Sequence, residues 1–232
     1  YKNLMHCFVH QSANRTASTF WSGCGAIRRR DFLSLGGFDE SYDRPAIEDI
    51  ELGYRLIADN RKIALDPHLT VKHMKHWTLR GLIHCDIFDR GVPWTELIWR
   101  DRLMPNDLNL RTSQRVSVGL VGLVLLVSIL GGASLLRASS IPIAEALLLG
   151  LLGVWLLATA SIIALNHKFF RFLRQRRGLA FAAWAIPMQI GYYVHRGYAF
   201  GLGSLRYAAG LVQVRSEVAP LEADDEPTAE SA

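Results

Sequence analysis

Residues 116–136 read VSVGLVGLVLLVSILGGASLL, twenty-one residues without a charge. A helix rises about 1.5 Å per residue, so this stretch covers a hydrocarbon core of roughly 30 Å. Arg111, Arg115 and Arg137 bracket it. A second apolar stretch, residues 141–165, carries one acid, Glu145, near its start. The short link at 137–140 allows only a tight turn, so the two read as a transmembrane helical hairpin. Buried helices of a soluble bundle would show a polar face over such a length. A third apolar stretch, residues 179–205, contains Pro187 and Gln189, with His195-Arg196 further along. It reads either as a third span or as a helix lying in the interface.

Charge gives the hairpin a direction. Residues 167–177, HKFFRFLRQRR, hold five Lys and Arg directly after the second span, against one at 137–140. By the positive-inside rule this segment and the polar N-terminal region face the cytoplasm. The expected location is the inner (plasma) membrane, multi-pass, with the catalytic region cytoplasmic. The net charge of +5 is therefore a membrane signal; no nucleic-acid partner is expected, whereas membrane lipids are. Cys7, Cys24 and Cys85 have no regular spacing, which leaves neither a disulfide framework nor a CxxC metal site. Residues 216–232 hold six acids and no base and read as a disordered tail. The chain starts at Tyr1 with no signal-peptide pattern, which predicts a piece of a longer polypeptide.

Chemistry concentrates upstream of the hairpin, in residues 22–56, SGCGAIRRRDFLSLGGFDESYDRPAIEDIELGYRL. Gly23, Cys24 and Gly25 form a small-residue turn that a ligand can approach closely. Residues 28–37 predict a short helix stopped by glycine. Glu48 and Asp49 open a further helix. Acids at a helix N-terminus are favoured by its dipole, which accounts for this pair without any catalytic role.

As a set and in this order, the Gly-rich stretch, the GGFDE turn at 36–40 and the Glu48-Asp49 pair resemble the second half of the catalytic domain of glycosyltransferase family 2. These are inverting nucleotide-sugar transferases of the GT-A type. The resemblance spans about residues 10–115. It implies an α/β fold, the C-terminal part of a GT-A domain, followed by transmembrane α-helices. On that basis 1–80 is catalytic domain, 81–115 amphipathic interfacial helix, and 116–136, 141–165 and 179–205 the membrane or interfacial segments. The resemblance also implies that Asp49 is the base that deprotonates an acceptor hydroxyl, with Glu48 orienting it. The transition state would be oxocarbenium-like. A divalent cation, Mg2+ or Mn2+, would neutralise the leaving diphosphate, its main ligands expected upstream of Tyr1. A nucleotide-sugar donor and a lipid-linked or glycan acceptor are the implied partners.

Residues 71–80, VKHMKHWTLR, make His73, Lys75, His76 and Trp77 candidate substrate ligands, with His73 a candidate metal contact. Processive relatives such as cellulose and hyaluronan synthases show QxxRW in a similar place. Here only Trp77 matches, with His73 and His76 in place of Gln and Arg. Packing of Trp77 under the domain, with surface histidines, explains the same residues. Residues 86–104 mix Trp94, Leu97, Ile98 and Trp99 with Arg90, Arg100 and Arg102. Such a helix sits well among headgroups, and Arg90, Trp94 and Thr95 are also candidates to line an acceptor site. The competing functional class is a non-catalytic membrane protein, a degenerate transferase partner or transporter-like subunit. The first span has no ionisable residue, which counts against transport.

Overall fold

A computed structural model describes residues 1–42, 45–137 and 142–211. The link at 138–140 and the acidic tail at 216–232 lie outside the described residues. The elements are α1 (Lys2–Gln11), β1 (Thr16–Ala17), α2 (Arg29–Ser34), α3 (Glu48–Ala58), β2 (Ile63–Ala64) and α4 (Leu79–His84). A π-helical segment, Cys85–Gly91, runs into α5 (Val92–Asp101), and α6 (Thr112–Arg137), α7 (Pro142–Leu165), α8 (His167–Arg177) and α9 (Leu179–Ala208) follow.

The expected α/β class is not what forms. The chain is mostly helical, and among the described residues the only sheet is one antiparallel pair, with Thr16 opposite Ala64 and Ala17 opposite Ile63. The physical reason lies in the first eighty residues. Leu52 and Leu56 are buried one helical turn apart, with Tyr54 alongside, the spacing of a helix face rather than a strand. The remaining apolar residues there are separated by turns. Gly36 and Gly37 both take left-handed φ, 76° and 70°, and end the α2 segment.

Helices α6 and α7 are long and apolar enough to cross a membrane, over Thr112–Ser134 and Ala146–Leu165. Only 17% and 11% of these windows is buried, so they are not core helices of a bundle. Leu126, Ile129, Leu149 and Leu157 stand exposed along them. A buried polar knot ties the hairpin base together. Asn166 donates to Ser117 Oγ at 3.1 Å and to the Ile162 carbonyl at 2.8 Å. Its Oδ1 accepts from the Tyr193 hydroxyl at 2.6 Å. Because a buried amide without partners is costly, this knot fixes α6, α7 and α9 to one another.

The basic stretch after α7 is itself helical. In α8, Phe169 and Leu173 are buried while Lys168, Arg171, Arg174, Arg176 and Arg177 are exposed. Gly178, at φ 86°, then turns the chain into α9. Helix α9 packs on other elements through both halves. Ala182, Ala185, Tyr192 and Tyr193 share a core with Met5, Val121, Phe169 and Leu173. Further along, Trp99 of α5 donates to Ser204 at 2.8 Å and stacks on Tyr207, and Arg206 pairs with Glu96 at 2.6 Å.

Small residues let α9 meet α5 closely. A Cβ on Gly91 would lie 2.5 Å from Ala199 Cβ, and one on Gly203 would lie 2.7 Å from Thr95 Cβ. Gly91 and Thr95 are one turn apart on one partner, Ala199 and Gly203 on the other. This is the small-xxx-small geometry that brings helix backbones together.

Candidate active site

A cavity of about 410 Å³ lies where the N-terminal region meets the hairpin base. Helix α1 lines it with Lys2, His6 and His10, successive positions on one face. Asp49 and Ile50 come from the start of α3, Asp86 and Arg90 from the π-helical segment, and Trp94, Thr95 and Ile98 from α5. Gln114, Arg115, Val118 and Gly119 come from the first turns of α6, and Tyr192, Arg196 and Phe200 from α9.

Asp49 is placed by three features. It sits in the first turn of α3, where the helix dipole favours a carboxylate. Its Oδ2 accepts from the Ser22 N–H at 3.2 Å and the Ser22 hydroxyl at 3.1 Å. Its Oδ1 has no hydrogen-bond partner among the described residues. Gly53, one helical turn later, lets α3 rest directly on backbone: a Cβ there would be 2.4 Å from Phe20 N and 2.6 Å from Thr19 Cα. Burial pushes the Asp49 carboxyl above the ordinary carboxylate range; the Ser22 hydrogen bonds and the Arg90 charge pull against it, and Glu48 adds to the rise.

The remainder of α3 braces this position. Glu51 is fully buried and pairs with Arg55 at 2.6 Å and Arg100 at 3.6 Å. Arg55 also donates to the Gly37 carbonyl at 2.7 Å, so the glycine turn and α3 are held by one guanidinium. Tyr54 accepts from Trp94 Nε1 at 3.0 Å, which joins α3 to α5.

Of the residues singled out in the sequence, Asp49 and His73 line this cavity, as do Arg90, Trp94 and Thr95. Glu48 does not line it; its Oε2 accepts from the Ala46 N–H at 2.7 Å, a local cap on the helix start. Cys24 and Gly25 line a neighbouring cavity of about 590 Å³, together with Arg28, Arg30 and Arg61. The two cavities share His10, Thr19, Phe20, Trp21 and Leu108. Gly23 lies against the Trp21 ring, 2.8 Å from where its Cβ would be. Trp77 stacks on His73 at 6.5 Å and donates to Asn3 Oδ1 at 2.9 Å, with Lys75 Nζ 4.3 Å from its ring centroid. Lys75 and His76 are exposed. The 73–77 segment thus covers α1 and reaches the cavity only through His73.

Helix α1 is the part of the site that sequence reasoning passed over. Its signal was present as Lys2, His6 and His10 at four-residue spacing. Burial, with the Lys2 and Arg90 charges, holds the His6 imidazole down at about 2, so it is neutral at physiological pH. His10 is also lowered, chiefly by burial and then by Arg90.

A divalent cation does not fit the side chains present here. Among the described residues no three His, Cys, Asp or Glu groups come together as a metal site. The cavity carries four cationic side chains against two carboxylates, and one of those, Asp86, is already paired with Lys2 at 2.5 Å. His73 faces no carboxylate partner; its Nδ1 accepts from the Lys75 N–H at 3.4 Å.

Comparison of the chain with known protein families, with curated proteins and with solved structures finds no match.

Proposed function

We propose that this chain belongs to a membrane-bound inverting glycosyltransferase, which moves a sugar from a nucleotide-sugar donor to a lipid-linked or glycan acceptor. The observation that carries the reading is Asp49: one carboxylate oxygen fixed by Ser22, the other unpartnered, in a cavity walled by the first turns of a membrane helix. In the proposed step the acceptor oxygen attacks the anomeric carbon from the face opposite the leaving group. Its proton passes to Asp49 Oδ1 as the bond forms. The bond to the nucleoside diphosphate breaks and that group leaves with the electron pair. A carboxylate whose proton affinity is raised by burial is a better base than an ordinary one. No step is routed through a metal.

The resemblance to glycosyltransferase family 2 supports the same reading through the order of the Gly-rich turn, the GGFDE turn and Glu48-Asp49. In this reading Glu48 shapes the helix start, while Arg90, Trp94 and Thr95 face the acceptor. The hairpin crosses the inner (plasma) membrane, and the exposed basic face of α8 keeps the cavity on the cytoplasmic side. Helix α9, engaged by α1 and α8 through one half and by α5 through the other, lies in the interface.

The test is Asp49→Asn in the full-length protein. The amide is near-isosteric and retains an oxygen for Ser22, so folding is preserved. Membranes carrying the variant are assayed with a panel of radiolabelled nucleotide sugars. Loss of a positioned base lowers transfer about 10²–10⁴-fold. Transfer at a near wild-type rate removes Asp49 from the mechanism.

A further inference from the structure

Three guanidinium groups line the cavity, and none forms an ion pair with a carboxylate among the described residues, although the Arg90 charge acts on Asp49. Arg90 makes no hydrogen bond or ion pair with the described residues. Arg196 donates to the Tyr192 hydroxyl at 2.6 Å and lies 5.4 Å from that ring's centroid. Arg115 meets only Met104 Sδ and Thr112 Oγ1, each at 3.2 Å. Asp86 does not cancel this charge, because Lys2 already holds it. Arginine matches phosphate through paired N–H donors, so unpaired arginines around one cavity are an anion receptor in waiting.

The cavity's other end is apolar and runs onto a membrane span. Val118 and Gly119 belong to the first apolar turns of α6, and Phe200 of α9, 41% exposed, lines the same cavity. Nothing lies within 4 Å of where a Cβ on Gly119 would be, so space is open along α6 at this level. A cationic pocket that continues into an apolar slot beside a bilayer-crossing helix has the shape of a headgroup with a chain attached.

We propose that the cavity binds a lipid phosphate, with its phosphate among Arg90, Arg115 and Arg196 and its hydrocarbon chain leaving over Val118, Gly119 and Phe200 into the bilayer. This rests on the cavity being the transferase's acceptor site, and it narrows the acceptor to an anionic lipid.

The test measures binding, apart from transfer. Full-length protein in neutral-lipid nanodiscs is titrated with farnesyl phosphate, farnesol or inorganic phosphate, and tryptophan fluorescence is followed, since Trp21 and Trp94 line the cavity. Farnesyl phosphate binds at least about tenfold more tightly than either half of the molecule, because charge-assisted bonds and chain burial add. Arg90→Gln and Arg196→Gln each weaken it about tenfold or more. Arg115→Gln, at an exposed position, does so without endangering the fold. Farnesol binding as well as farnesyl phosphate overturns the phosphate assignment. Inorganic phosphate binding equally well makes this a free-anion site and overturns the lipid. Arginine variants that bind like wild type overturn the proposal altogether. Binding that survives while no sugar is transferred refutes the glycosyltransferase reading and leaves the lipid-phosphate site standing.

Discussion

Gly53→Ala is a small change with a calculable effect. The new methyl carbon would sit 2.4 Å from Phe20 N and 2.6 Å from Thr19 Cα. Both are backbone atoms and neither can rotate away. Restoring ordinary contact requires α3 to retreat by about 1 Å. That stretches the Ser22–Asp49 hydrogen bonds, now 3.2 and 3.1 Å, past the range in which they hold. Overpacking of this kind costs about 1–3 kcal/mol. Removing a glycine from a helix returns about 0.5–1 kcal/mol, so the net loss is about 0–2.5 kcal/mol. For a chain of this size each kcal/mol moves Tm by about 2–4 °C, so the drop is up to about 10 °C. If Asp49 is the base of the proposed transfer, transfer suffers more, because a displacement of about 1 Å at a catalytic group costs on the order of 10²-fold. The assay is thermal unfolding in detergent by tryptophan fluorescence, with sugar transfer measured on the same preparations. Gly191→Ala is the control: it also lies within a helix, but nothing is within 4 Å of its Cβ position, so it unfolds at or above the wild-type temperature. If Gly53→Ala does the same and keeps its transfer rate, close seating of α3 is not what positions Asp49.

The raised Asp49 carboxyl has consequences of opposite sign for rate and stability. The proposed transfer needs the carboxylate, so on that reading a rate–pH profile falls on its acid side at a pH above the ordinary carboxylate value of about 3.9. A folded-state pKa raised above the unfolded one contributes stability that is full below the unfolded value and lost as pH rises through the folded value. Asp49→Asn therefore gains Tm relative to wild type as pH rises above about 4, and no gain removes burial as the cause. Arg55→Met removes from the fully buried Glu51 the guanidinium that pairs with it at 2.6 Å. It destabilises by about 3–5 kcal/mol in urea unfolding, and adding Glu51→Leu recovers most of that. Gly203→Leu forces α9 off α5 by filling the space against Thr95. It breaks the Trp99–Ser204 bond, read as a red-shifted Trp99 emission in a single-tryptophan background.

The hairpin was legible because twenty-one uncharged residues leave few alternatives. Helix α3 was legible because Glu48 and Asp49 mark its start and its apolar side chains recur at helical spacing. The α/β expectation came from resemblance rather than periodicity, and periodicity was the better guide: among the described residues of the first eighty, no strand forms beyond Thr16–Ala17 and Ile63–Ala64. The π-helical turn over Cys85–Gly91 was not legible. Pro93 hints at it, since proline has no N–H for the carbonyl four residues earlier, but a proline in the first turn of α5 reads equally as an ordinary helix start. That turn places Asp86 and Arg90 together at the cavity. The contribution of α1 was hidden differently: its polar face becomes meaningful only once α3, α5 and α9 are folded against it.

The cavity wall has a practical corollary for anyone wishing to handle this protein in water. Seven of its residues, Gln114, Arg115, Val118, Gly119, Tyr192, Arg196 and Phe200, come from segments beyond Thr112. Trimming the chain before α6 would remove two of the three unpaired arginines and one side of the chamber. The hairpin is thus not a detachable tether, and natural variants that exchanged it for another anchor would have to rebuild part of the pocket at the same time.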